Sequence, residues 1–165
     1  MPKQHLIGYC DASHATDIKT RRSTTGWAFC IWNHLIFYKV KLQNTVATSS
    51  TEAEFIAAVS AAKTAKYLRT VLHEIGFEQD QPTKINEDNM AAIFIANNSR
   101  PTDCTRHMDI QYFALQQWIK QKHIILHHMP GTLNPADSLT KALAWILHSR
   151  HTNRLMGYFK ERENI

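Results

Sequence analysis

The sequence predicts one α/β domain in which helices pack on a mixed sheet, and three observations carry that prediction. Strand-like runs come first and then alternate with helical ones, in the order βββαβαβα, the pattern of strands and helices that share one core. From Ser49 to Gly76 the apolar residues recur at helical spacing over a length no strand reaches. Four acidic residues, Asp11, Glu54, Asp88 and Asp137, each stand where a strand ends or a helix begins. A carboxylate at such a junction is expensive to bury unless a metal ion or another cation pairs with it.

Each element has its own local reason. Leu6-Ile7-Gly8-Tyr9-Cys10-Asp11 is a first strand that closes in Ala12-Ser13, and residues 13–25 are polar and basic and form a loop. Residues 26–32 and 35–40 are rich in aromatic and β-branched side chains. Only Asn33-His34 separates them, so they form a hairpin. In the long helix, Ser49 followed by Glu52 gives a capping box, and Gly76 gives the stop. Its length leaves room for a kink near Lys63-Thr64. A short strand covers residues 83–87, a short helix 90–97, a loop 98–103, and a further helix 107–121. A last strand opens at Ile124-Ile125-Leu126. Asn134 then caps a helix with Pro135 at its first position.

Composition narrows the class. The 165 residues fit one domain with a substantial core, and no stretch approaches the ~20 apolar residues of a membrane span. The start, Met1-Pro2-Lys3-Gln4-His5, does not read as a signal peptide. Cys10, Cys30 and Cys104 lack paired spacing, which argues against a disulfide framework or a zinc site and for a reducing intracellular compartment. The net charge is +5; if the four junction carboxylates bind metal, 19 basic side chains face only 10 other acidic ones. A basic body around an acidic pocket suits a nuclease, because cations hold phosphates while carboxylates hold the metals. Oxygen-only ligands suit Mg2+ or Mn2+.

Each carboxylate also has a plainer reading. Asp11 can cap a turn into Ser13, Asp88 can belong to a solvated Glu87-Asp88-Asn89 turn, and Asp137 suits any helix start through the macrodipole. Glu52 and Glu54 compete for one role near one helix start. At ~100° per residue they point to nearly opposite faces, so only one can reach a shared site.

Taken together, four blocks resemble a known family. They are Tyr9-Cys10-Asp11-Ala12-Ser13; Ser49 to Ala58; Glu87-Asp88-Asn89; and His128 to Lys141, with its Pro-Gly-Thr-Leu-Asn-Pro-Ala-Asp core. In this order they resemble the ribonuclease H domain of copia-type (Pseudoviridae) LTR retrotransposon Pol polyproteins. Arg106-His107-Met108-Asp109-Ile110 resembles that family's Lys-His-Ile-type segment. The match runs from about Leu6 to Leu143, so residues 1–143 are expected to form the ribonuclease H domain. Residues 144–165 are then a basic, amphipathic C-terminal extension of it.

The resemblance implies a ribonuclease H-like fold, a five-stranded mixed sheet of order 3-2-1-4-5 flanked by helices. It implies a catalytic and metal-binding set of Asp11, Glu54, Asp88 and Asp137, with Glu54 preferred over Glu52 because the family's glutamate directly precedes the apolar run. The implied reaction is two-metal (Mg2+ or Mn2+) hydrolysis of the RNA strand of an RNA/DNA hybrid during reverse transcription, leaving 5′-phosphate and 3′-hydroxyl ends. Asp11 would bridge both ions, Asp137 would serve the attacking-water side, and Glu54 and Asp88 the leaving-group side. Ser13, Asn89, Thr48 and Ser49 are expected near the substrate, with Arg21, Arg22, Lys39 and Lys41 on its phosphates. The expected partners are the hybrid and the reverse transcriptase domain of the parent polyprotein, with no membrane. The isolated domain is expected to be a monomer, in cytoplasmic virus-like particles. The loop before Asp137 lacks the histidine of cellular ribonucleases H, and His128 just upstream reads as structural. The alternatives are a non-catalytic or domesticated nucleic-acid-binding module of the same fold, and a different nuclease such as an integrase or resolvase.

Overall fold

The computed structural model describes residues 5–98 and 109–158. Among the described residues the strands and α-helices follow one another as β1 Ile7–Ser13, β2 Thr24–Ile31, β3 His34–Leu42, α1 Ser50–Glu74, β4 Thr83–Glu87, α2 Met90–Asn98, α3 Asp109–Lys120, β5 Ile124–His128, α4 Asp137–Thr140 and α5 Trp145–Leu155. The sheet has the order β3-β2-β1-β4-β5. The hairpin strands β2 and β3 are antiparallel, while β4 and β5 run parallel to β1. The expected mixed sheet and its order are therefore observed. The two helices expected between β4 and β5 are observed as α2 and α3. Arg106, His107, Met108, Cys104 and the loop around them lie outside the described residues.

The strands alternate sides, and this makes two cores of unequal size. On one face Leu6, Cys10, Trp27, Phe29 and Ile85 meet the alanine-rich side of α1 (Ala57, Ala58, Ala61, Ala62, Ala65) together with Tyr112 and Leu115 of α3. On the other face Tyr9, Ala28 and Cys30 meet Ala136 and Leu155, so α5 packs on the sheet. Small residues let α1 lie close to the sheet, and it runs unbroken through Lys63-Thr64. There the Thr64 hydroxyl accepts the Trp27 indole N–H at 2.9 Å. Gly26 has a comparable role for α4, because a Cβ there would lie 2.7 Å from Leu139 Cβ.

Local corrections have physical causes. The hairpin turns at Trp32-Asn33, one residue earlier than the sequence suggests, with positive φ at both (53° and 61°). The Trp32 ring packs edge-on against Phe77 at 4.9 Å, a tertiary contact that outweighs turn preference. Asp137 is the first residue of α4 rather than the third, and Ala136, not Asn134, is its cap. The Asn134 side chain instead accepts the Ala136 N–H and donates to the Cys10 carbonyl at 2.8 Å. No helix among the described residues is long and apolar enough to cross a membrane.

Candidate metal centre and nucleic-acid interface

Because β1 and β4 are parallel, their C-terminal ends lie together, and the residues that leave them meet. Asp11 lies within β1, Asp88 directly follows β4, and Glu54 projects from the first turns of α1. One carboxylate oxygen from each of these three lies within 4.8 Å of the others. The fourth residue, Asp137, joins through a cation. The Lys141 ammonium donates to Asp11 Oδ1 at 2.9 Å and to Asp137 Oδ1 at 2.7 Å. The Thr140 hydroxyl donates to the other Asp11 oxygen, Oδ2. All four expected acidic residues thus converge, three directly and one across Lys141.

Long-range polar contacts fix the framework. Buried Gln43 donates its amide to Thr25 Oγ1 (2.8 Å) and to the Ala53 carbonyl (2.9 Å), tying the end of β3 to the start of α1 and hence to Glu54. Asn134 ties the segment before Asp137 to the residue before Asp11. Glu87 accepts the backbone N–H groups of Asp88 and Asn89, both at 3.1 Å, and the Cys10 thiol at 3.0 Å. That turn is therefore built around the buried Glu87 carboxylate, with Asp88 and Asn89 half-buried. A Cβ on Gly131 would lie 2.7 Å from Asp88 Oδ2, so the turn before Asp137 passes against the Asp88 carboxylate.

The helix start gives the two glutamates different surroundings. Ser49 accepts the Glu52 N–H at 3.1 Å, as a cap should. The Glu52 carboxylate reaches back to Thr48 and accepts both its N–H (2.7 Å) and its hydroxyl (2.6 Å). Glu54 has no such partner: it is 94% buried, and its Oε2 finds no hydrogen bond among the described residues.

The electrostatics of the cluster are those of an under-neutralised site. Burial, then the charges of Glu87, Asp11 and Asp88, push the Glu54 carboxyl up to about 10, with Lys141 acting against them. Burial likewise raises Asp11, opposed by Thr140 and Lys141, and raises Glu87 to about 8. Buried carboxylates that repel one another and leave an oxygen unpaired, with only oxygen donors in the set, fit hard divalent cations. The residues present fit the group the sequence implies.

The expected substrate contacts divide. The Thr48 hydroxyl and the Ser49 side chain are engaged in capping, and Asn89 Oδ1 accepts the Ala92 N–H at the start of α2. Ser13, half-buried, ends β1, and Arg21 and Arg22 lie on the loop that leaves this strand at the Asp11 end. Lys39 and Lys41 extend from β3; with Lys63 of α1 they form a mutually repelling basic group, and Lys41 Nζ sits 5.5 Å from the Trp27 ring centre. His128 is exposed at the end of β5, in register with Glu87. The roles of Lys141, Thr140, Asn134, Gln43 and Glu87 at this site are not legible in the residue pattern. The spacing of Thr140 and Lys141, three and four residues after Asp137, is a local signal that could have placed them beside it.

No family model matches the chain. It is 36% identical over 138 residues, 84% of its length, to the Retrovirus-related Pol polyprotein from transposon TNT 1-94 of Nicotiana tabacum. The chain spans about a tenth of that relative's length. Among solved structures it resembles LC11-RNase H1, isolated from compost, with a TM-score of 0.61 and 13% identity over 82% of this chain and 92% of that one. LC11-RNase H1 in complex with RNA/DNA hybrid matches with a TM-score of 0.57 and 12% identity, over 82% and 93%. Identities this low show a shared fold.

Proposed function

From a chain that is homologous to the Pol polyproteins of copia-type retrotransposons and has the ribonuclease H fold, we infer a divalent-metal-dependent endonuclease that hydrolyses the RNA strand of RNA/DNA hybrids during reverse transcription. The observation that carries the reading is the meeting of Asp11, Glu54 and Asp88, with a buried Glu54 oxygen left unpaired. A buried cluster of this kind costs stability unless a cation answers it. The hybrid bound by LC11-RNase H1 and the Pol context of the tobacco relative support the choice of substrate and of a neighbouring reverse transcriptase domain.

Asp11, central to the four, would be shared between two ions; Asp137 would hold the one on the attacking-water side, and Glu54 and Asp88 the one on the leaving side. Bound divalent ions supply Lewis-acid activation of water and stabilisation of the leaving 3′-oxygen. The protein's own contribution is placement. Thr140 orients the Asp11 carboxylate, Asn134 holds the Asp137 segment against β1, and Glu87 fixes the backbone that carries Asp88. Glu54 must release its proton to bind, so metal affinity rises with pH. Arg21, Arg22, Lys39 and Lys41 supply the positive charge that draws a phosphate backbone toward the site.

The test is incubation with labelled RNA/DNA hybrid, duplex DNA and duplex RNA, each with and without Mg2+ or Mn2+. Cleavage of the hybrid's RNA strand alone, only with metal and with 5′-phosphate ends, is the expected result. Cutting of plain duplex DNA points to a different nuclease, and hybrid binding without any cutting to a non-catalytic module.

A further inference from the structure

We propose that Lys141 is a tethered cation that occupies the Asp11–Asp137 half of the site in the metal-free protein and is exchanged for a divalent ion when one binds. The inference rests on the metal reading above and adds to it what this half does before metal arrives.

The geometry is specific. Two of the three ammonium protons go to carboxylates from different elements, Asp11 Oδ1 on β1 and Asp137 Oδ1 on α4. The backbone at Lys141 is pinned, its N–H donating to the Asp137 carbonyl at 3.0 Å as α4 ends. The side chain is not pinned: it is 36% exposed, whereas the Asp11 side chain is fully buried and that of Asp137 is 11% exposed. The ammonium therefore has an open way out, and the carboxylates stay behind.

Asp11 Oδ2 already accepts Thr140, so a divalent ion shared by Asp11 and Asp137 would draw on the Asp11 oxygen that Lys141 holds. Such an ion sits about 2.0–2.1 Å from its oxygens if it is Mg2+. An ammonium left on the same two oxygens would be a second positive charge almost in contact with it. One must leave when the other enters. On the opposite side of Asp11 no cationic side chain takes this place among the described residues, and there the Glu54 Oε2 has no hydrogen-bond partner.

The test needs no substrate. Wild-type protein is treated with limiting amine-acetylating reagent, with and without MgCl2, and labelling of Lys141 is read by peptide mass spectrometry against exposed Lys19. Magnesium should raise Lys141 labelling several-fold and leave Lys19 unchanged. In the same samples, the melting temperature reports whether magnesium has bound. Bound magnesium with Lys141 still protected overturns the exchange and leaves the metal reading standing. As a second arm, Lys141→Met should melt lower without metal and bind magnesium several-fold more tightly. Equal or weaker binding by that variant overturns the proposal. If neither protein binds magnesium, the metal reading falls together with the exchange.

Discussion

Asp11 faces two different neighbourhoods. Toward Glu54 and Asp88 it meets only other carboxyl groups, one with an oxygen that nothing satisfies. Toward Asp137 it meets Lys141 and Thr140, which donate to both of its oxygens. The first half is assembled in defiance of its own repulsion, by β1, β4 and α1 and by the buried ties of Gln43 and Glu87. The second half is self-neutralising and rests on one short helix seated against Gly26. Packing can hold charges together that would not stay together unaided, and the strain of doing so is what a cation can relieve.

The comparison is broken most completely at the residue the halves share. Asp11→Asn should lower single-turnover cleavage of a hybrid by about a thousandfold or more, since a lost metal ligand removes several kcal/mol of transition-state stabilisation. Circular dichroism should show the fold intact. Near wild-type cleavage by this variant would remove Asp11 from the site.

The next change separates two glutamates on one helix. Glu54→Gln should abolish most activity and raise metal-free stability, because a neutral amide avoids the cost of protonating a buried carboxyl on folding. Glu52→Gln should keep most activity and cost roughly 0.5–2 kcal/mol, as a damaged helix start does. Denaturant melts and cleavage rates on both variants decide the assignment, and the reverse order would move the role to Glu52.

Gly131→Ala touches no ligand yet should act on one. Its new methyl group would meet Asp88 Oδ2, and relieving an overpacked contact of this kind costs about 1–3 kcal/mol. A fall in apparent magnesium affinity measured by calorimetry is expected; unchanged affinity would mean that Asp88 has room to move.

The smallest effect is a pH dependence. Glu54 and Glu87 titrate higher in the folded protein than their usual 4.5, at about 10 and about 8. The folded state therefore binds more protons than the unfolded chain across that window. Metal-free stability is fullest below pH 4.5 as far as these groups are concerned, and is lost as pH rises through 8 to 10. Melting temperatures across pH 5 to 9 should fall in the metal-free wild type, and Glu54→Gln should flatten the trend. A flat wild-type profile would show that the cluster is already neutralised.

Much of this was legible in the residues. The period of α1, the limits of β4 and the junction positions of the four carboxylates follow from local pattern, whereas the sheet order came from the family resemblance. What pattern could not show depends on contacts between distant residues. The Trp32 turn is set by Phe77, and Asn134 is turned from a cap into a tie by the Cys10 carbonyl, 124 positions away. Glu87 looks like solvent-facing turn chemistry until β1 brings the Cys10 thiol to it. Lys141 could be paired with Asp137 from helical spacing, but nothing local announces Asp11, 130 residues earlier.

The most direct test of the account is the number of manganese ions bound in the presence of a non-cleavable hybrid, read by electron paramagnetic resonance. Wild type should bind two, Asp137→Asn should weaken one selectively, Glu54→Gln the other, and Asp11→Asn both. A single ion that is insensitive to Asp137, or two ions that survive Asp11→Asn, would contradict a centre shared through Asp11.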